Sequence, residues 1–66
     1  MRDYELQAHL ITPDGGEWTE TTSVQAQNLV TARIMARRFA ILEAQQHNAK
    51  VDDFWAIDLE SNEMSD

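Results

Sequence analysis

Hydrophobic and polar residues alternate strictly in the first part of the chain. The apolar positions are every second residue: Tyr4, Leu6, Ala8 and Leu10. The positions between them are polar: Glu5, Gln7 and His9. A period of two places one set of side chains on each face of a strand, so this pattern predicts a half-buried β-strand over residues 4–11.

The next segment has the composition of a tight turn followed by a second strand. The turn sequence is Thr12-Pro13-Asp14-Gly15-Gly16. Proline fixes φ at the second turn position, aspartate bonds to nearby backbone, and glycine accepts a positive φ. Residues 17–24 are rich in threonine, which is typical of strands. The two strands form a predicted hairpin. The inward face of its second strand consists of alternate residues, of which Glu20 alone is charged: Trp18, Glu20, Thr22 and Val24.

A long uninterrupted segment after Asn28 predicts a helix. Asn28 is a good N-cap residue because its side chain accepts hydrogen bonds from the free amides of a first turn. Neither glycine nor proline occurs from Leu29 to His47, and a helix of this length is about 28 Å long. At 100° per residue, one broad sector holds the predicted core face. Its members are Leu29, Ala32, Met35, Ala36, Phe39, Ala40 and Leu42.

A third alternating segment, Val51 to Glu60, predicts the last strand. One of its faces carries Trp55, Ile57 and Leu59, and the other carries Phe54, Ala56 and Asp58. Residues 61–66 are polar and acidic and are predicted to form a disordered tail. The resulting fold class is α+β, with residues 1–60 forming one domain of ββαβ order. Its three-stranded antiparallel sheet is covered on one face by the helix. The third strand pairs with the first, and Ile11 and Phe54 lie on the uncovered face.

Length and composition limit the possible functions. The chain has 66 residues, enough for a single core, and it has no cysteine. Chains this small often gain stability by oligomerisation. No apolar run is long enough to span a membrane and the N-terminus lacks the pattern of a signal peptide, so we expect a soluble cytoplasmic protein.

No arrangement of residues typical of catalysis or metal binding is present. His9 and His47 are the only histidines, and their positions do not match a zinc motif. The three serines lie outside any nucleophile motif, and Gly15-Gly16 lacks the pattern of a phosphate-binding loop. We therefore expect a protein that is not an enzyme, with no catalytic residues, no metal site and no cofactor.

The net charge of −7 is distributed unevenly. Residues 28–47 carry three arginines against Glu43, a balance of +2, and the remainder carries two basic and eleven acidic residues, a balance of −9. This excess of acid disfavours direct binding to nucleic acid and favours a protein partner with a basic surface. The candidate contact residues are the acids of the hairpin and third strand: Asp14, Glu17, Glu20, Asp52, Asp53 and Asp58.

The predicted helix has a second apolar stripe outside its core face. Val30, Ile34 and Ile41 lie together beside Arg37, with Arg38 further round. Two interpretations remain open from the sequence. The aliphatic residues are either ordinary exposed or loop-covered residues of a small domain, or part of an interaction surface. The arginines likewise form either a solvated helix face or a contact surface for a protein or nucleic acid.

The junction between the second strand and the helix resembles that of small bacteriophage proteins with strand-strand-helix-strand order. Its pattern is Ala26-x-Asn28-Leu29-x-x-Ala32-x-x-x-Ala36. Two such families are the small phage inhibitors of bacterial RNA polymerase and certain single-domain anti-CRISPR proteins. The resemblance implies stoichiometric binding to a host complex without catalysis, and it assigns no site residue.

These observations lead to two hypotheses of different classes. The first is a small acidic, non-catalytic protein-binding module, a phage-type inhibitor that docks on a host nucleic-acid-handling complex and partly mimics DNA. The alternative is a structural homodimer or accessory subunit that self-associates through the outer helix stripe or the back of the sheet. The two differ in whether a host protein or a second copy occupies the binding surface.

Overall fold

The computed structural model describes residues 1–65. Four strands form one antiparallel sheet in the order β2-β1-β3-β4, and one helix packs on one face of it. The strands are β1 (Arg2–Ile11), β2 (Glu17–Ala26), β3 (Lys50–Asp58) and β4 (Met64–Ser65), and the helix is α1 (Leu29–Gln46). The predicted α+β class, the ββαβ order of the first four elements and the pairing of β3 with β1 are confirmed.

The hairpin of β1 and β2 forms as the alternation predicts. Every residue of β1 has a partner in β2, from Arg2 opposite Ala26 to Ile11 opposite Glu17. In the connecting turn, Gly15 has φ of +91° and its N–H donates to the carbonyl of Thr12 at 3.0 Å. The positive φ is the reason that glycine suits this turn position.

The predicted three-stranded sheet has a fourth strand. Met64 pairs with Ile57 and Ser65 with Ala56, at the outer edge of β3. This short strand falls within the segment 61–66 that the sequence predicts as a disordered tail. The turn before it returns the chain to β3, with the Asn62 N–H donating to the Asp58 carbonyl at 2.7 Å. Asp66, the last residue of the predicted tail, lies outside the described residues.

Alanines bring the helix close to the sheet. The four buried residues of α1 recur at every fourth position: Ala32, Ala36, Ala40 and Ala44. They pack against the buried side of β1, which consists of Tyr4, Leu6, Ala8 and Leu10, and against Ala56 of β3. Small side chains leave little separation between a helix backbone and a sheet, so the core is thin and tightly packed.

Two predicted positions are wrong. The helical projection puts Leu42 on the core face and omits Ala44, but Leu42 is 58% exposed and Ala44 is buried. Each step of four residues advances 40° around an ideal helix, so the contact line drifts across the helix and leaves Leu42 behind. Phe54 was placed on the uncovered face, yet it lies on the helix side, with the Arg33 guanidinium 4.9 Å from its ring centre.

The helix begins directly after its predicted N-cap, Asn28. The Asn28 side chain accepts a hydrogen bond from the Thr31 N–H at 2.9 Å, which confirms it as the N-cap. The helix ends at Gln46, and two residues later Asn48 adopts φ of +52°. Asparagine tolerates this left-handed conformation better than most residues, so the chain turns here toward β3.

Asp58 is a buried carboxylate that fixes the end of β3. Only 6% of the residue is exposed. Its Oδ2 accepts a hydrogen bond from Arg2 Nε at 2.9 Å and forms an ion pair with Arg2 Nη2, also at 2.9 Å. Its Oδ1 accepts from the N–H groups of Glu60 at 2.9 Å and Ser61 at 3.3 Å. The hydrogen bond from Arg2, with smaller contributions from the two backbone donors, lowers the pKa of Asp58 below its ordinary 3.8 even though burial opposes this.

Replacing Asp58 by asparagine is expected to lower the melting temperature most at neutral pH. A carboxyl with a lowered pKa stabilises the fold above its unfolded-state pKa and loses that contribution as pH falls through the folded-state pKa. The difference in Tm between wild type and Asp58→Asn should therefore shrink below about pH 4. Circular dichroism melts across this range measure it, with Glu63→Gln as an exposed control. A difference that does not change with pH would contradict the ion pair with Arg2.

Candidate protein-binding surfaces

The sheet has one face that the helix does not cover, called here the outer sheet face. The strand registers place the odd-numbered residues of β1 and β2 on it, together with Trp55 and Ile57 of β3. Its β1 residues are Asp3, Glu5, Gln7, His9 and Ile11, and its β2 residues are Glu17, Thr19, Thr21, Ser23 and Gln25. Within residues 1–65, no element packs over this face.

Carboxylates dominate the charge of the outer sheet face. Asp53 is opposite His9 and so shares its face. Asp52 occupies the bulge where the register shifts between His9 and Leu10. The acids of this face are Asp3, Glu5, Glu17, Asp52 and Asp53. Opposite Ile11 lies Lys50, so five acids and one lysine give a local charge of −4 with His9 neutral.

His9 connects three strands at the centre of this acidic region. Its Nε2 lies 2.8 Å from Glu17 Oε1 and 4.0 Å from Asp52 Oδ2, and its Nδ1 lies 3.3 Å from Thr19 Oγ1. The hydrogen bond with Glu17 joins β1 to β2, and Asp52 of β3 lies near the same ring nitrogen. In the part of the chain that the structure describes, no group of three or more potential ligand residues has a metal-binding arrangement.

The six acids predicted from sequence occupy different environments. Glu17, Asp52 and Asp53 lie on the outer sheet face, as described above. Asp14 is in the turn, where a hydrogen bond from the Thr12 hydroxyl, together with the Gly16 N–H, lowers its pKa. Asp58 is the buried partner of Arg2.

Glu20 lies on the other face of the sheet, as its place in the alternation predicts. It faces the helix side and accepts a hydrogen bond from Trp18 Nε1 at 2.9 Å. This bond satisfies the one charged residue on the inward face of β2. Glu20 and Asp58 therefore support the fold and are not part of the acidic surface.

Two members of the acidic surface were not among the predicted contact residues. Asp3 and Glu5 come from β1 and share the outer sheet face with Glu17 because Glu5 is opposite Ser23 and Asp3 is opposite Gln25. The signal was present in the polar half of the first alternating segment.

Apolar side chains lie beside the carboxylates. Trp55 is opposite Gln7, Ile57 is opposite Glu5, and Met64 of β4 extends the strip past Ile57. Trp55 and Ile57 are partly buried by their neighbours, and Met64 is exposed. A shallow depression of about 390 Å³, lined by Asp3, Ser23, Val24, Gln25 and Leu59, lies at the same end of the sheet. The outer sheet face thus combines charge with a small apolar strip.

The outer side of the helix forms a second, oppositely charged surface, called here the helix stripe: Val30, Ile34, Arg37, Arg38 and Ile41. Of its aliphatic residues, Val30 is 71% exposed, Ile34 is 55% exposed and Ile41 is 38% exposed. No strand or loop of residues 1–65 covers them, which excludes the interpretation of loop-covered residues. Both arginines are also exposed.

Comparisons with protein-family models, with curated proteins and with solved structures find no match. Over residues 1–65, no helix is both long and apolar enough to cross a membrane.

Proposed function

We propose that this chain is a small acidic protein-binding module that acts without catalysis by docking its outer sheet face on a basic surface of another protein. The observation that carries the proposal is the collection of five carboxylates on one uncovered face of the sheet. His9 lies among them, with its Nε2 2.8 Å from Glu17 Oε1 and 4.0 Å from Asp52 Oδ2. An array of one charge sign attracts a complementary surface and orients the approach.

The charge distribution over the whole molecule supports the same orientation. The helix stripe carries Arg37 and Arg38 on the side away from the acids, so the molecule has opposite charges on its two faces. A basic partner is attracted to the sheet and repelled by the helix. Trp55 and Ile57 provide an apolar contact within the acidic face, and interface energy generally concentrates at such residues.

A basic groove that handles nucleic acid is the kind of partner surface that fits an array of carboxylates. The resemblance to phage inhibitors of host complexes, carried by the junction from Ala26 to Ala36, supports this choice. In this proposal the outer sheet face occupies the groove in place of phosphates and so acts as a partial mimic of DNA. The partner is thus a host nucleic-acid-handling complex, bound stoichiometrically.

Neutralising Asp52 and Asp53 is expected to weaken binding about fivefold to tenfold at low salt and to reduce its salt dependence. Both changes follow because fewer charges face the partner. Tagged wild type and the Asp52→Asn, Asp53→Asn variant are each incubated with bacterial lysate at low and moderate salt, and captured proteins are quantified by mass spectrometry. Asparagine at position 53 still accepts the bond that Asp53 Oδ1 receives from the Phe54 N–H at 2.8 Å.

A control variant with the same change in net charge makes this test specific. Glu60→Gln with Glu63→Gln removes two exposed carboxylates from the segment between β3 and β4, of which Glu60 pairs with Arg2 at 3.0 Å. The control is expected to capture the same stoichiometric complex as wild type. Equal loss of capture in both variants would show a dependence on net charge alone, and capture that is unchanged over the salt series would refute docking through the acidic face.

The exposed helix stripe favours a second candidate function, self-association as a structural homodimer or accessory subunit. Val30, Ile34 and Ile41 follow spacings of four and seven residues, which align side chains along one side of a helix. Two copies that pack along this stripe would cover the aliphatic residues. The stripe suits an acidic partner better than a second copy of the chain. Arg37 and Arg38 lie between Ile34 and Ile41, so in a dimer they would face the same arginines of the second copy. The substitution Ile34→Glu tests this candidate below.

A further inference from the structure

The two edges of the sheet differ greatly in length. The strand order β2-β1-β3-β4 leaves β2 at one edge and β4 at the other. The β4 edge has two residues, whereas the β2 edge has ten, Glu17–Ala26. In the described chain, β2 has only β1 as a strand partner, so its second side is available for backbone hydrogen bonding.

Two backbone hydrogen bonds determine which groups of β2 point outward. At the hairpin end, the Thr12 N–H donates to the Gly16 carbonyl at 2.7 Å, and at the other end the Leu59 N–H donates to the Asp3 carbonyl at 3.1 Å. Bonded pairs alternate along antiparallel strands, so even residues of β1 bond to β2 and odd residues bond to β3. The free edge therefore presents the N–H and C=O groups of five exposed residues: Glu17, Thr19, Thr21, Ser23 and Gln25.

The β2 edge lacks most of the features by which exposed edges usually avoid pairing, namely prolines, lysines, bulges and short length. Its one inward-pointing charge, Glu20, already accepts a hydrogen bond from Trp18 Nε1 at 2.9 Å. From Glu17 to Ala26 there is no proline and no basic residue. The register with β1 is continuous over all ten pairs. Its threonines favour the extended conformation. The edge is therefore regular and competent to accept another strand.

We infer that β2 pairs antiparallel with β2 of a second copy, joining the two four-stranded sheets into one. A two-fold axis at Thr21 brings the outward-pointing residues opposite one another. Glu17 then lies opposite Gln25 of the second copy, and Thr19 lies opposite its Ser23. Neither pair places two like charges opposite each other.

Charge and packing on the helix side favour the same register. There, Trp18 lies opposite Val24 of the second copy, and Glu20 lies opposite its Thr22. No carboxylate faces a carboxylate, although each copy carries a net charge of −7. A shift of two residues in one direction would instead place Glu20 directly opposite its counterpart, which is unfavourable. Trp18 and Val24 are only partly buried in one copy, and the pairing covers both.

The pairing also extends the surface of the proposed function. Because a two-fold axis at Thr21 runs perpendicular to the sheet, both helices lie on one side and both outer sheet faces lie on the other. The dimer would present two copies of the acidic array on one continuous surface. This inference does not depend on the identity of the partner, because the pairing uses backbone groups of the β2 edge, whereas the proposed docking uses side chains of the outer sheet face.

The test measures the oligomeric state of Thr21→Pro by sedimentation between about 1 µM and 1 mM. Proline removes the central outward N–H of each copy while leaving the bonds to β1, a position where edge strands tolerate it. Dimerisation is expected to weaken by about 30- to 100-fold relative to wild type. Thr21→Val, which keeps the N–H, is the matched control and should remain a dimer.

The variant Ile34→Glu distinguishes dimerisation through the β2 edge from dimerisation through the helix stripe. The β2 interface predicts that Ile34→Glu dimerises like wild type. A monomeric Ile34→Glu with a dimeric Thr21→Pro would overturn the inference in favour of the stripe. A wild-type protein that stays monomeric at all these concentrations would also overturn the inferred pairing. The β2 edge would then be available only to a strand of another protein.

Hydrogen exchange on the wild-type protein keeps the inference testable if Thr21→Pro fails to fold. The amides of Thr19, Thr21 and Ser23 should exchange more slowly as protein concentration rises, because only the second copy bonds them. Exchange at these amides that stays fast and independent of concentration would refute the pairing.

Discussion

Replacing Leu6 by alanine is expected to destabilise the fold by about 2–5 kcal/mol. Leu6 is 1% exposed and lies in the main buried cluster between the helix alanines and the sheet. The neighbouring alanines have short, rigid side chains that cannot move into the space left by the leucine. Domains of this size have about 3–10 kcal/mol of total stability, so the variant should be largely unfolded or close to it. Urea unfolding followed by circular dichroism measures the loss.

Leu42→Ala is the matched control for this prediction. It removes the same atoms from the same residue type, but Leu42 is 58% exposed on the helix. Its effect is expected to stay within about 0.5 kcal/mol. A large loss in Leu42→Ala would show that Leu42 contributes to the core, as the ideal helical projection predicted, and would contradict the contact line along the alanines.

The alternating segments were predictable because a strand's side-chain period is fixed by its backbone geometry. Tyr4 to Leu10 has one buried residue in every two, and a single turn sequence connects it to β2 with a register that the turn determines. The same geometry placed Trp18 and Val24 on the inward face. Asn28 was predictable for a different reason, since its role depends only on residues within the next turn.

The contact line of the helix was not predictable in the same way. A helical projection ranks residues by size and angle, and it favoured Leu42 over Ala44. The structure instead buries alanines because the sheet face opposite them already carries large residues such as Tyr4 and Leu10. Which side of a helix is buried depends on the partner surface, and a projection of the helix alone does not contain that surface.

Contacts between distant parts of the chain account for the remaining differences. Asp58 was a candidate contact residue from its type and position, but its partner Arg2 lies 56 residues away. The same end of the sheet receives β4, a strand of two residues that is too short to show a pattern. On the candidate surface, Glu17, Asp52 and Asp53 are predicted from the sequence, whereas Asp3 and Glu5 join them only through the register of β1.

Replacing Ala36 by leucine is expected to destabilise the fold by about 1–3 kcal/mol, and by more if the helix cannot move. Ala36 is fully buried midway along the line of alanines, in the same cluster as Tyr4 and Leu6. The larger side chain must push the helix away from the sheet and so loosens its neighbours as well. For a domain of this size, the loss corresponds to a fall in Tm of about 5–20 °C.

Gln45→Leu on the exposed side of the same helix separates the effect of packing from that of composition. Gln45 is exposed, so an added leucine there enters no packed core and should change the stability by about 0.5 kcal/mol or less. If Ala36→Leu were as harmless as this control, the helix would lie far enough from the sheet to accept a large residue. The outer sheet face is independent of this spacing, so a folded Ala36→Leu variant should still bind a basic partner. The thin alanine-lined core is thus a constraint on folding, and the carboxylates on the opposite face are free to serve recognition.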